Sequence, residues 1–279
     1  MVAWGKPCRT PTPIWPDRGI TATYSESNRS LHPTPPEESP VRTLSCLIVL
    51  IGASAVAADP WKLDDAFKAA KPEDLKDAEA TLAPKGAVVL FDGKDFSRWV
   101  KRDGKSEVKW TLRDGGVMEG VNGHGDIITR ETFDGAFKLH VEFRVPYEPG
   151  ASGQGRGNSG VYLQGRYEVQ VLDSYGLKSG KNDCGAIYGV AAPTLNACKA
   201  PTVWQSYDIE FVAPKFAGGK KTEPARITVY HNGVKIHDSV PIPVDNTTSG
   251  LGGDPSTPGP ILLQDHGHPV QYRNVWLVK

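Results

Sequence analysis

From Ala87 to the C-terminus, apolar and polar residues alternate in short runs. In Leu139-His140-Val141-Glu142-Phe143-Arg144-Val145 the odd positions are apolar and the even ones polar. Tyr167-Glu168-Val169-Gln170-Val171, Tyr207-Asp208-Ile209-Glu210-Phe211 and Arg226-Ile227-Thr228-Val229-Tyr230 repeat that period. Leu262-Leu263-Gln264-Asp265-His266 and Arg273-Asn274-Val275-Trp276-Leu277 are the last such runs. Successive side chains of a strand point to opposite faces, so each run predicts a strand with one core face and one wet face. The expected solution is an all-β sandwich of two antiparallel sheets joined through their apolar faces. Asn232-Gly233, between two such runs, predicts a tight hairpin.

Upstream the pattern changes twice. Residues 59–85 are rich in Ala, Lys and Asp, with apolar residues at Trp61, Phe67, Leu75 and Leu82. They read as a short helical or irregular leader preceding a domain at 86–279. Before them, Arg42, the apolar run Leu44–Val56 and the small residues Ala55-Val56-Ala57-Ala58 read as a signal peptide over 41–58. The run is too short for a comfortable membrane span, so the mature chain is expected to have none. Export to the periplasm or the extracellular space is the implied localisation. Residues 1–40, dense in proline and lacking apolar periodicity, are expected to be disordered. A signal this far from the first residue points to a later true start, with Val41 as the candidate initiator.

Composition narrows the class further. Gly 30 and Pro 23 suit a fold of many turns. Lys+Arg and Asp+Glu both total 32, so no basic surplus points to nucleic acid or an anionic membrane as partner. Cys184 and Cys198 are the two cysteines past the signal, and in an exported chain they predict one disulfide. Closing that loop of roughly 15 residues would add about 3 kcal/mol. Their spacing shows no C-x-x-C and no histidine partner, and no loop is dense in Asp and Asn. Neither a metal nor a cofactor is therefore expected.

Residue types on the polar faces carry the candidate chemistry. Glu168 and Gln170 share one face, His140, Glu142 and Arg144 another, and Gln264 and His266 a third. Carboxylates, amides, an imidazole and a guanidinium on one face could bind sugar hydroxyls and move protons, although ordinary solvated surface gives the same alternation. Gly153-Gln154-Gly155-Arg156-Gly157-Asn158-Ser159-Gly160 is glycine-rich, but no Lys-Ser/Thr pair and no helix follow. It reads as a site rim carrying Arg156 and Asn158, not as a phosphate loop. No G-x-S-x-G elbow supports a serine triad.

Ordered motifs then point to a family. Leu90-Phe91-Asp92-Gly93-Lys94-Asp95-Phe96-Ser97-Arg98-Trp99 resembles the opening motif of the domain of unknown function 1080. That family is also described as 3-keto-disaccharide hydrolases or 3-keto-glucoside lyase/hydratases. The resemblance continues through Gly157–Gly165, Tyr167–Asp173, Gly185-Ala186-Ile187-Tyr188-Gly189, Gly259–Gly267 and Tyr272–Val275, covering roughly residues 86–279. It implies a concanavalin A-like jelly roll and cleavage of glycosides already oxidised at C3, with a small carbohydrate as partner. A ketone at C3 acidifies the C2 proton; a base removes it, the C1 substituent leaves, and water adds back. Such chemistry needs a base, a stabiliser for the enolate oxygen and an acid for the leaving group.

With that chemistry in view, Glu168 is the first candidate base. His266 is the alternative base or the acid for the leaving group. Arg156, Asn158 and Gln264 are expected to bind ketone or hydroxyl oxygens, with Gln170, Glu142 and Tyr188 as further substrate contacts. Asp173, off the Glu168 face by parity, is expected to be structural. A non-catalytic lectin-like glycan-binding module would use the same face, and the residue pattern leaves that alternative open.

Overall fold

A computed structural model describes residues 59–279, and the expected extension (1–40) and signal (41–58) lie outside them. The strands are β1 (Val88–Phe91), β2 (Trp99–Lys101), β3 (Thr111–Arg113), β4 (Val117–Glu119) and β5 (Ile127–Thr129). Then follow β6 (Ala136–Arg144), β7 (Ser159–Leu163), β8 (Tyr167–Val171), β9 (Gln205–Val212) and β10 (Lys215–Ala217). The last are β11 (Lys220–Glu223), β12 (Ala225–His231), β13 (Val234–Ile242), β14 (Leu262–Leu263) and β15 (Gln271–Val278). Among the described residues the only helical segments are short 3₁₀ turns at Pro72–Leu75 and Gly153–Gly155.

Two antiparallel sheets form the predicted jelly-roll sandwich. The larger runs β13-β12-β9-β6-β15-β4-β3, with β1 also on β15; the smaller runs β2-β5-β14-β7-β8. The core lies between them. Leu139, Val141, Phe143, Tyr207, Ile209 and Phe211 of the larger sheet join Val161, Leu163, Tyr167, Val169, Val171 and Leu263 of the smaller in one buried cluster. Period-two alternation supplies this directly: the inward set is the set of apolar odd positions. Asn232 and Gly233 both take positive φ (52° and 77°), as a primed hairpin turn between β12 and β13 requires.

One face departs from expectation. His140 and Glu142 fall on the polar face of β6, yet their relative exposures are 0% and 1%. The cause is the leader, which lies across this sheet and is fastened to it. Thr81 N donates to Glu142 Oε1 at 2.7 Å, and Trp276 Nε1 donates to Thr81 O at 3.0 Å. Trp204 N donates to Asp77 Oδ1 at 2.9 Å, and Ala78 N to Trp204 O at 2.8 Å. The Arg144 guanidinium sits 4.6 Å from the Trp61 ring centre and 4.8 Å from that of Trp204, a cation–π sandwich that binds leader to sheet.

Glu142 is the anchor of this face. A bulge in β15 turns Arg273 and Asn274 toward it, so Arg273 Nε donates at 2.6 Å and Asn274 Nδ2 at 2.9 Å. Burial alone would raise its pKa. The hydrogen bonds from His140, Asn274, Thr81 and Arg273 outweigh that and hold it at about 2. His140 is flanked by Asp208 at 3.0 Å and Glu142 at 3.5 Å. Burial pulls its pKa down, but the two carboxylates reverse the sign and leave it raised.

Glu142→Gln is therefore expected to cost about 3 kcal/mol at neutral pH, because it removes a buried charge from its hydrogen-bond partners and leaves the partly buried Arg273 without its counter-ion. A carboxylate with a depressed pKa stabilises the fold above its ordinary value of 4.5 and loses that contribution as pH falls toward about 2. Urea unfolding of both proteins should thus show a gap at neutral pH that shrinks in acid. Limited proteolysis should cut the variant first within residues 59–82.

Candidate active site

The outer face of the smaller sheet, opposite the core, holds the candidate site. Gly160 pairs with Gln170 and Tyr162 with Glu168 across β7 and β8, while Leu262 of β14 pairs with Tyr162. Parity then places Tyr162, Glu168, Gln170 and Gln264 together, away from the core. They are buried despite facing outward, because loops close over them: Glu168 is 3% exposed and Gln170 1%.

A cleft of about 40 Å³ opens above these residues, lined by Glu168, Gln170, Gln264 and Asn158 from the sheet side. Tyr188, His266, Gln154, Thr248 and Ser249 complete its walls. That space takes a few water-sized groups.

Glu168 sits at the floor. Its carboxyl lies over Gly160, where a Cβ would come within 2.7 Å of Oε1 and 2.8 Å of the Tyr162 ring, so only glycine leaves room. Burial pushes the Glu168 pKa to about 8; a hydrogen bond with Tyr162 opposes the shift and the charge of Asp126 adds to it. Burial and the Glu168 charge in turn raise the Tyr162 phenol. Gln264 Nε2 donates to Tyr162 Oη at 3.0 Å, and Tyr162 Oη itself donates to Thr248 O at 3.3 Å. Thr247 fixes the backbone here: Glu168 N donates to Thr247 Oγ1 at 3.1 Å, and that hydroxyl donates to Arg166 O at 2.8 Å.

The other expected residues divide. Asn158 lines the cleft with its Nδ2 donating to Gln154 O at 2.8 Å, while its Oδ1 is buried without a protein partner. Gln170 also lines it, but its amide is spent on Gln154 Oε1 at 3.0 Å and Val171 N at 3.0 Å, which makes it a positioning group. His266 is exposed at the mouth, stacked parallel to His268 at 6.3 Å. His268 in turn is held by Glu148.

Two candidates lie elsewhere. Arg156 is outside the cleft lining, its guanidinium engaged by Asp173 at 2.5 Å, so the rim loop uses it for its own shape. Asp173, its partner in that pair, is buried. Glu142 is on the opposite sheet beneath the leader, with the core between it and Glu168, and its carboxylate is fully committed. Strand parity gives a face but not which sheet the face belongs to.

Tyr162, Gln154, Thr248 and Ser249 went unforeseen. Tyr162 was readable, since it alternates with core residues Val161 and Leu163 and so must join Gly160 on the outer face. The Thr248–Ser249 wall carries no sequence signal. It is held by Arg102, which donates to Ser249 O and Gly250 O, both at 2.8 Å, and pairs with Asp126 at 2.6 Å. Ser249 has φ of +63°, a strained setting at the edge of a cleft.

The expected disulfide is not formed. Cys184 and Cys198 are free thiols, although their sulfurs lie within 4.8 Å of each other. Among the described residues no helix is long and apolar enough to cross a membrane.

Known proteins place this arrangement. A solved structure of a candidate glycosyl hydrolase from Parabacteroides distasonis is 37% identical, covers 71% of this chain and 85% of its own, and has a TM-score of 0.65. A second candidate glycosyl hydrolase of that organism is 23% identical over 69% of this chain and 93% of its own, at a TM-score of 0.47. The carbohydrate-binding module CBM66 of Bacillus subtilis is 16% identical over 68% of this chain and 97% of its own, at a TM-score of 0.36. Comparison with curated proteins finds no match. The family model described as the 3-keto-alpha-glucoside-1,2-lyase-like domain matches residues 86–278, which takes in both sheets and every cleft residue named above. The chain belongs to that family.

Proposed function

We propose that the chain cleaves 3-keto-glycosides by removing the C2 proton and expelling the C1 substituent, with water adding back to complete net hydrolysis. The observation that carries this is Glu168: a buried carboxyl at the floor of a polar cleft, with its pKa raised to about 8. A base is most effective when its pKa lies close to the working pH, and an ordinary surface carboxylate is a weaker base toward a carbon-bound proton next to a ketone. Once ionised, Glu168 takes the C2 proton, and the electron pair moves onto the C3 oxygen as an enolate. The pair then returns to form the C1–C2 double bond as the C1–O bond breaks. His266 at the mouth protonates the departing oxygen. Asn158, in the cleft lining, contacts a ring hydroxyl and fixes the sugar's orientation.

The test is incubation of the purified protein with a 3-keto-disaccharide and, separately, with its unoxidised parent. Release of monosaccharide from the ketone alone is expected. Binding of both sugars with no turnover of either would instead make the cleft a lectin-like site.

Tyr162→Phe probes the carboxyl's environment. Tyr162 lowers the Glu168 pKa through its hydrogen bond, so removing the hydroxyl should push that pKa above about 8. The pH–rate profile should shift to higher pH with kcat lowered roughly 10-fold at neutral pH.

Export belongs to the same proposal, and the signal-like pattern over residues 41–58 supports it. N-terminal sequencing of the exported protein should find a start just past the signal at 41–58, and exported protein that still carries residues 41–58 would contradict cleavage there.

A further inference from the structure

Away from the cleft, Cys184, Cys198 and His231 converge in the interior. One donor atom of each lies within 4.8 Å of the other two, the one such metal-binding group of Cys, His, Asp and Glu among the described residues. Cys184 and His231 are nearly inaccessible, at 2% and 1% exposure.

The three are held in place by bonds that do not involve the sulfurs. Cys184 N donates to Ser174 Oγ at 3.0 Å, and Cys198 N to Asn196 Oδ1 at 2.9 Å. Asn196 Nδ2 ties back to Ser174 O at 2.7 Å. Asn232 Nδ2, next to His231, donates to Ala197 O, next to Cys198, at 2.8 Å. The cluster therefore exists before anything binds to it.

The histidine's tautomer follows from its neighbour. Gln205 Oε1 accepts Lys199 N–H at 2.8 Å, which fixes it as the oxygen of the amide. The same oxygen lies 3.0 Å from His231 Nε2, so Nε2 must carry the proton and donate. Nδ1 is left with a bare lone pair on the side facing Gly185, the residue after Cys184. An imidazole whose far nitrogen donates to an amide oxygen is the arrangement in which metal-bound histidines are held. Tyr207 supplies a fourth donor. Its oxygen is 3.1 Å from Cys184 Sγ, and its own proton is committed to Gln170 O at 2.7 Å.

We propose that Cys184, Cys198 and His231 form a structural site for a thiophilic divalent cation, zinc being the fitting one, with the Tyr207 oxygen at the remaining position. Two thiolates, a neutral imidazole and a divalent ion sum to zero charge, the condition for burying them together. A disulfide would use the two sulfurs and leave the oriented Nδ1 with no purpose. The sequence hid this site because His231 lies on β12, remote along the chain from either cysteine. The site is independent of the chemistry at Glu168. It does reach the cleft wall, since Tyr207 and Gly185 N both bond to Gln170 O.

The test uses the whole mature chain, purified without a histidine tag under reducing conditions. Elemental analysis should find one zinc per chain. Replacing it with cobalt(II) should give the intense near-ultraviolet thiolate-to-metal absorption. Cys198→Ser should lose both the metal and that absorption, and removal of zinc by a chelator should lower the melting temperature of the unmutated protein. Two results overturn the proposal. One is an intact mass lighter by two hydrogens with no thiol reacting after unfolding, which is a disulfide. The other is reduced protein that takes up neither zinc nor cobalt.

Discussion

Replacing Glu168 with glutamine is expected to remove nearly all turnover while making the protein more stable at neutral and alkaline pH. The loss of rate follows from the role of the carboxyl: an amide of the same shape cannot accept the C2 proton, and loss of a general base costs on the order of 10²–10⁴ in kcat. The gain in stability follows from linkage. A carboxyl with a folded pKa of about 8 and an ordinary value of 4.5 keeps its proton in the folded state where the unfolded chain releases it. Folding is therefore penalised progressively as pH rises from 4.5 toward about 8, and the penalty is complete above that. Glutamine has no such term. Scanning calorimetry should find the two proteins closest in melting temperature in mild acid, with the variant higher by roughly 3 °C or more at alkaline pH. Kinetics on the unmutated protein should show kcat/KM rising with pH toward a plateau, with an apparent pKa of about 8. A variant that is inactive and also less stable at every pH would mean that Glu168 holds the fold together instead of bearing a strained proton.

Gly160→Ala should be the most damaging small change in the cleft. Its backbone is not in the left-handed region, so the expected effect is purely steric. The added methyl meets Glu168 Oε1 at 2.7 Å and the Tyr162 ring at 2.8 Å, and both groups are hemmed in by loops. Overpacking of this kind costs about 1–3 kcal/mol. The functional cost is larger, because the only way to relieve the contact is to move the carboxyl off the floor. A 1 Å displacement of a catalytic group can cost on the order of 10²-fold in rate. Denaturant titration together with steady-state kinetics would separate the two. A protein that unfolds at lower denaturant but turns over normally would show that the carboxyl's position over Gly160 is not needed.

The sheets were legible because alternation is a local property. Val169 and Ile209 are buried for the reason their neighbours Glu168 and Asp208 are not part of the core, and no knowledge of the partner strand is needed. Alternation also put Glu168 with Gln170, which the cleft retains. It could not say what covers a polar face. His140 and Glu142 read like a solvated face but lie under the leader, because Thr81, Asp77 and Trp61 contact the larger sheet from far along the chain. Arg156 lies outside the cleft lining for a similar reason: its partner, Asp173, is set by loop geometry that spacing does not encode. The Thr248–Ser249 wall and the cysteine–histidine cluster are likewise products of loop packing. Both depend on side chains, Arg102 and Gln205, whose roles become visible only when the strands are assembled.

The central claim is that the cleft at Glu168 breaks a glycoside by taking its C2 proton, and solvent deuterium tests it most directly. A 3-keto-disaccharide turned over in D₂O should yield a 3-keto-monosaccharide carrying deuterium at C2, since the proton lost there is replaced from solvent when water adds back. The unoxidised parent should remain intact. Release of monosaccharide with hydrogen retained at C2, or cleavage of the parent at a similar rate, would contradict the account and point to direct displacement at C1.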